Sequence, residues 1–252
     1  MISGNTLLKK SISMVILMSN IIDSNSLVPV ILKSQFDAVA TEFLMEFYPE
    51  ALERPMAVPI LYIAKKKLGL KVCTKYSLSE DLSILGQMCF TSGVVDLYVK
   101  ETDEFIEKTV RRGTMFIDAD VITERNEGCY NNTIAHECVH WYKHRNYHLL
   151  KQITEDRSSK KKRCPATGLD EFQKDRWTDE DWMEWQANGI APRILMPKNM
   201  FIRQASIFCE QWQAGNRTTP LNYYWLKNQL AAFFDVSKQS AGIRMDELGI
   251  LQ

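Results

Sequence analysis

The sequence predicts an α+β domain, mainly helical, with a small and mostly antiparallel sheet packed on one central helix. Three observations carry this. Apolar residues recur at helical spacing over residues 36–48, and again almost continuously after Gly128. Between them, short runs rich in Val, Ile, Phe and Tyr read as strands. The composition, 45% hydrophobic and 25% charged, is that of a folded globular chain.

The elements follow in order. The run FDAVATEFLMEFY predicts a helix over 36–48, closed by Pro49. A second helix begins after Pro55 and runs to Leu68, with Gly69 just past its end. Strands are expected at 70–78, 86–91, 94–99 and 113–121. Helices are expected at 131–150, 179–191, 198–213, 221–234 and 238–248. The polar stretch 152–177, with the basic run from Ser158 to Arg163 at its middle, reads as a solvated, mobile loop. Residues 1–35 form an extension packed on a single domain over 36–252.

Charge narrows the function. Lys plus Arg and Asp plus Glu number 31 each, so the formal net charge is zero. A protein that coats nucleic acid or an anionic membrane would be basic, so neither partner is expected. Lys9 and Lys10 precede the apolar run 12–18, but no small-residue cleavage site follows, and no stretch reaches the ~20 apolar residues of a membrane span. The six cysteines include no C-x-x-C pair and read as reduced thiols. A cytoplasmic location is expected.

The chemistry concentrates in His136-Glu137-Cys138-Val139-His140, an H-E-x-x-H inside a predicted helix. Residues four apart on an α-helix differ by about 40° in direction and about 6 Å in height, so two imidazoles can grip one metal from one face. Glu137 beside them can take the proton of a water at the metal's open position. Cys138 and Val139 point away, toward the core. A catalytic zinc needs a third protein ligand. Lys143 and Asn146 stand where an extended motif would carry Gly and a third His. A carboxylate from a following helix is therefore expected, and Glu184 is the best candidate, with Glu155, Glu171 and Glu180 competing. Thr178 can cap the Glu184 helix, with Asp181 three residues on. Asn188, one turn after Glu184, is placed to accept the outer N–H of a ligand histidine. His144 and His148 continue the four-residue spacing. They are expected to be exposed or partly packed, with an outer-shell or proton-shuttle role for His144 as the alternative. Trp182, Trp185 and Trp225 read as core packing.

Together, TIAHECVHW, then EWQAN and APRILMP, closely resemble the ImmA/IrrE family of zinc metallopeptidases, whose pattern is roughly TxAHExxH, ExxAN and a small-apolar run ending LLMP. The strong match spans 133–197, with weaker similarity from about residue 36 to the C-terminus. The resemblance implies a zincin-like fold, one zinc held by His136, His140 and Glu184, and Glu137 as catalytic base. It also implies a protein substrate, typically a helix-turn-helix repressor of a mobile element or stress regulon. Two departures stand out. Gly189-Ile190-Ala191-Pro192 replaces the family's aromatic and small residues, with Pro192 expected to kink or end the helix. The gap between His140 and Glu184 is long and basic.

The expected function is thus a zinc-dependent endopeptidase. Tyr142, Arg193, Tyr223 and Tyr224 are weak candidates to stabilise the oxyanion. The alternative is a non-catalytic regulator that keeps the zinc fold and binds DNA or a partner protein. A purely structural site would favour four Cys or His ligands and leave Glu137 without a task.

Overall fold

A computed structural model describes residues 28–155, 161–165, 177–215 and 220–250, and the architecture is α+β. Helix α1, Phe36–Phe47, is followed by a short α2, Glu50–Glu53. Helix α3, Ile60–Tyr62, continues through a π-helical stretch, Ile63–Lys67. Gly69 then turns the chain at φ +68°, a left-handed conformation that only glycine adopts at no steric cost.

The strands are β1 (Lys71–Cys73), β2 (Ile84–Cys89), β3 (Gly93–Val99), β4 (Glu104–Val110), β5 (Thr114–Ile117) and β6 (Lys161–Pro165). They form a four-stranded sheet of order β1-β5-β2-β6 and a separate β3-β4 hairpin. The β1-β5 pair is parallel and the other pairs are antiparallel, so the sheet is mixed. The sequence pattern hides β4 because most of its residues are exposed, leaving no apolar alternation to read.

β6 corrects the loop expected around the basic run. Lys161, Lys162 and Arg163 pair antiparallel with Cys89, Met88 and Gln87. Residues 85–89 of β2 are buried, and buried backbone groups need hydrogen-bond partners. A charged segment suits that task at a sheet edge, where it also discourages further strand addition. Residues 158–160, also assigned to the loop, lie outside the described residues, as does most of 152–177 beyond the helix end and β6.

Helix α4, Glu127–Val139, carries the first part of the motif and passes into a π-helical turn, His140–His144, and then α5, Arg145–Glu155. Helix α6, Asp179–Leu195, starts on the Thr178–Asp181 capping box. Helices α7 (Lys198–Gly215), α8 (Tyr223–Phe233) and α9 (Lys238–Glu247) complete the chain. Pro192 does not end α6. The Met196 N–H closes on the Pro192 carbonyl, and Ile190, Ala191, Ile194 and Leu195 are all buried, so packing outweighs the missing bond.

One core joins the sheet to the helices through Phe43, Met88, Ile134, Ala187, Ile194 and Met245. Helix α1 lies so close to α6 that a Cβ on Gly189 would stand 2.0 Å from the Phe36 ring. Across the same layer, Arg193 pairs with Glu247 at 2.8 Å, and the buried Arg244 pairs with Asp37 and Glu247, which ties α1, α6 and α9 together. Val28 packs on Tyr147 and Met183; the rest of the expected N-terminal extension, residues 1–27, lies outside the described residues. Cys73, Cys89, Cys129, Cys138 and Cys209 form no disulfide, and Cys89 and Cys138 are buried. No helix among the described residues is long and apolar enough to cross a membrane.

The start of α4 rests on the turn before α9. A Cβ on Gly128 would come within 2.2 Å of the Ser237 backbone nitrogen and 2.3 Å of the Val236 carbonyl carbon. Backbone cannot rotate aside, so Gly128→Ala must shift one helix against the other. Overpacking of this kind costs about 1–3 kcal/mol. Urea unfolding should show that loss in the midpoint with an unchanged slope. A wild-type midpoint would mean that the helix ends yield freely.

Candidate metal centre

Helices α4 and α6 pack against each other and bring three side chains together. His136 Nε2 and His140 Nε2 stand 2.9 Å apart. Each lies 3.2 Å from one oxygen of Glu184. Both imidazoles are fully buried and Glu184 is 4% exposed. No other group of three His, Cys, Asp or Glu side chains among the described residues can hold a metal ion.

The donor set fits a divalent cation. Two nitrogens that each need a lone pair, and a carboxylate, converge on one point. Ligand atoms around a tetrahedral zinc with bonds of about 2.0–2.2 Å stand about 3.3–3.6 Å apart, so the three donors, 2.9–3.2 Å apart, need to spread by only a few tenths of an ångström to take one. Burial pushes the Glu184 carboxyl up, but His140 and His136 more than offset this and hold it well below the ordinary carboxylate range. It is therefore ionised, as a ligand must be. Burial pushes the neighbouring Cys138 thiol up, so it stays neutral and inert.

Glu137 is fully buried and outside this triad. Its carboxylate sits over β2, where a Cβ on Gly86 would be 2.8 Å from its Oε1. Gly86 is thus part of the site, although nothing in the sequence marks it. Only a residue without a side chain leaves room for Glu137 between the sheet and α4.

The histidines beyond the motif are not exposed. His148 is 4% exposed and stacks on Phe90, with ring centroids 4.0 Å apart. His144 is fully buried, its Nδ1 2.9 Å from His140 Nδ1 and its Nε2 2.9 Å from Gln186 Oε1. The cause is the π-helical turn His140–His144. A four-residue step overshoots one α-turn by about 40°, whereas a wider π-turn takes more residues and cancels the drift. His144 is therefore returned to the face of His140. Burial, reinforced by His140, holds the His144 imidazole well below its ordinary pKa and keeps it neutral.

Asn188 does not take the outer-shell place expected of it. It is exposed and lines a cavity of about 340 Å³ with Arg193, Ser240 and Glu247, and no hydrogen bond among the described residues joins it to a ligand histidine. Gln186, two residues on from Glu184, meets His144 instead. Glu180 is taken by Lys151 at 3.2 Å, while Glu171 and the Glu155 side chain lie outside the described residues. The oxyanion candidates are engaged elsewhere. Tyr142 packs edge-on to Phe43 and Phe47, Arg193 bonds Glu247, the Tyr223 hydroxyl donates to Asp246, and Tyr224 is 69% exposed. Trp182 and Trp185 pack with Trp177, and Trp225 with Phe208 and Trp212, all partly buried.

No family model and no curated protein matches this chain.

Proposed function

We propose that the protein is a zinc-dependent endopeptidase with His136, His140 and Glu184 as metal ligands and Glu137 as general base. One observation carries the reading: Glu137 adjoins the triad without belonging to it. A site built only to hold metal has no use for a second buried carboxylate there, because an extra buried charge is costly. Zinc is the metal best suited to two imidazoles and one carboxylate with a position left open, where it would polarise a carbonyl and acidify water. Glu137 takes the water's proton and delivers it to the leaving amine. Gly86 keeps Glu137 in place, and the hydrogen bonds behind His140 hold that ring.

The resemblance to ImmA/IrrE peptidases points to a repressor protein as substrate, cut as an extended segment. Glu137 lies against Gly86 of β2, and an extended peptide adds naturally to a strand edge. That edge now holds β6, so binding substrate there requires β6 to give way.

One observation favours the non-catalytic alternative: Glu137 is fully buried, as a purely structural residue would be. The deciding experiment is cleavage of a repressor encoded beside the gene, with and without chelator. Chelator-sensitive cleavage at one site supports the peptidase; zinc-loaded protein that binds the repressor without cutting it supports the regulator.

Gly86→Ala tests the placement of the base separately. The new methyl meets Glu137 and Thr133 at 2.8 Å each. Zinc content should be unchanged and cleavage should fall about 10²-fold, the cost of a misplacement near 1 Å. Undiminished cleavage would show that Glu137 does not act from above Gly86.

A further inference from the structure

Resting on the metal centre proposed above, we infer that His144 and Gln186 are positioning residues that fix the tautomer of His140 and present its bare Nε2 to the metal. The assignment starts at a group with no choice. The Pro29 carbonyl can only accept, and Gln186 Nε2 lies 2.8 Å from it. The Gln186 amide is therefore oriented with its NH₂ toward Pro29 and its Oε1 toward His144.

Everything further in follows. Gln186 Oε1 can only accept, so His144 Nε2 carries the proton and donates across 2.9 Å. His144 is fully buried and its hydrogen bonds go to an amide oxygen and another imidazole, with no carboxylate paired to it among the described residues, so it carries one N–H and its Nδ1 can only accept. His140 Nδ1 stands 2.9 Å from it and must be the donor. His140 Nε2 is then left with its lone pair, and it is this atom that faces His136 and Glu184. The chain of bonds sets which nitrogen of His140 is available and locks the ring plane.

Burial sharpens the argument. His140 and His144 are fully buried and Gln186 is 1% exposed, so water is not at hand to replace a lost partner. The π-helical turn is what brings His144 within reach of His140. His136, by contrast, has a buried Nδ1 with no hydrogen-bond partner among the described residues. The two ligand histidines are thus held differently, and the ordering falls on His140.

Two readouts test this. Ring ¹⁵N spectra of the zinc-loaded protein should show His144 protonated at Nε2 and His140 at Nδ1; the opposite tautomer at either ring overturns the inference. Zinc affinity, measured by competition with a chromophoric chelator, should fall about 10- to 100-fold in His144→Phe, the usual effect of removing a ligand's hydrogen-bond partner. If His144→Phe fails to fold, Gln186 decides. Gln186→Met fills the space without an acceptor and should weaken zinc about tenfold, while Gln186→Glu keeps an acceptor for His144 and should stay near wild type. A merely structural Gln186, acting through Pro29, would give the reverse order, because a carboxylate would face that carbonyl. Wild-type affinity in a folded His144→Phe overturns the relay alone. A wild-type chain that binds no zinc overturns the metal centre, and the relay's purpose with it.

Discussion

Glu137→Gln should keep the zinc and the fold while slowing peptide cleavage about 10²- to 10⁴-fold, the usual worth of a positioned base. The amide matches the carboxylate in size, so the tight fit over Gly86 survives. It cannot accept the water's proton. Because Glu137 stands outside the ligand triad, metal content should not change. The measurement is zinc per chain beside repressor cleavage for the same preparation, with complementation of a deletion strain as the cellular readout. Lost cleavage with lost complementation supports the enzyme. A variant that no longer cleaves yet still complements would move the balance to the binding regulator.

The site was legible in the sequence where helical geometry is regular. His136, Glu137 and His140 lie within about one turn, and the Thr178 cap sets the start of α6, so Glu184 could be placed by counting. The same counting failed beyond His140, because nothing in the His140–His144 sequence announces a π-helical turn. With an α-helical period, His144 drifts off the ligand face and Asn188 appears the natural outer partner. The real partner is His144, backed by Gln186.

In the fold, strands with buried apolar runs were legible and strands without them were not. β4 is exposed and β6 is basic, and both exist through backbone pairing that side-chain pattern does not report. Pro192 misled for a related reason. Its local cost is real, but the burial of Ile194 and Leu195 beyond it outweighs that cost. Gly86 carried no signal at all, since its role is the absence of a side chain at a point set by tertiary packing.

The largest expected effect on metal binding comes from the ligands themselves. Protein purified without added metal should carry one zinc per chain by elemental analysis. The His136→Ala, His140→Ala double variant should carry none, since one carboxylate cannot hold the ion alone. Glu184→Gln should be weakened at least about 100-fold, beyond the loss expected for an outer partner, because it replaces an ionised ligand by a neutral amide. Heat reports the same event without any substrate. Zinc that binds only the folded chain, at a hundred times its Kd, stabilises it by about 2.7 kcal/mol. For a chain of this size that is a rise in Tm of roughly 5–10 °C. The rise should be present in wild type and in Glu137→Gln, and absent in the double variant. A double variant that keeps full zinc occupancy, or gains the same thermal shift, would place the metal elsewhere in the molecule.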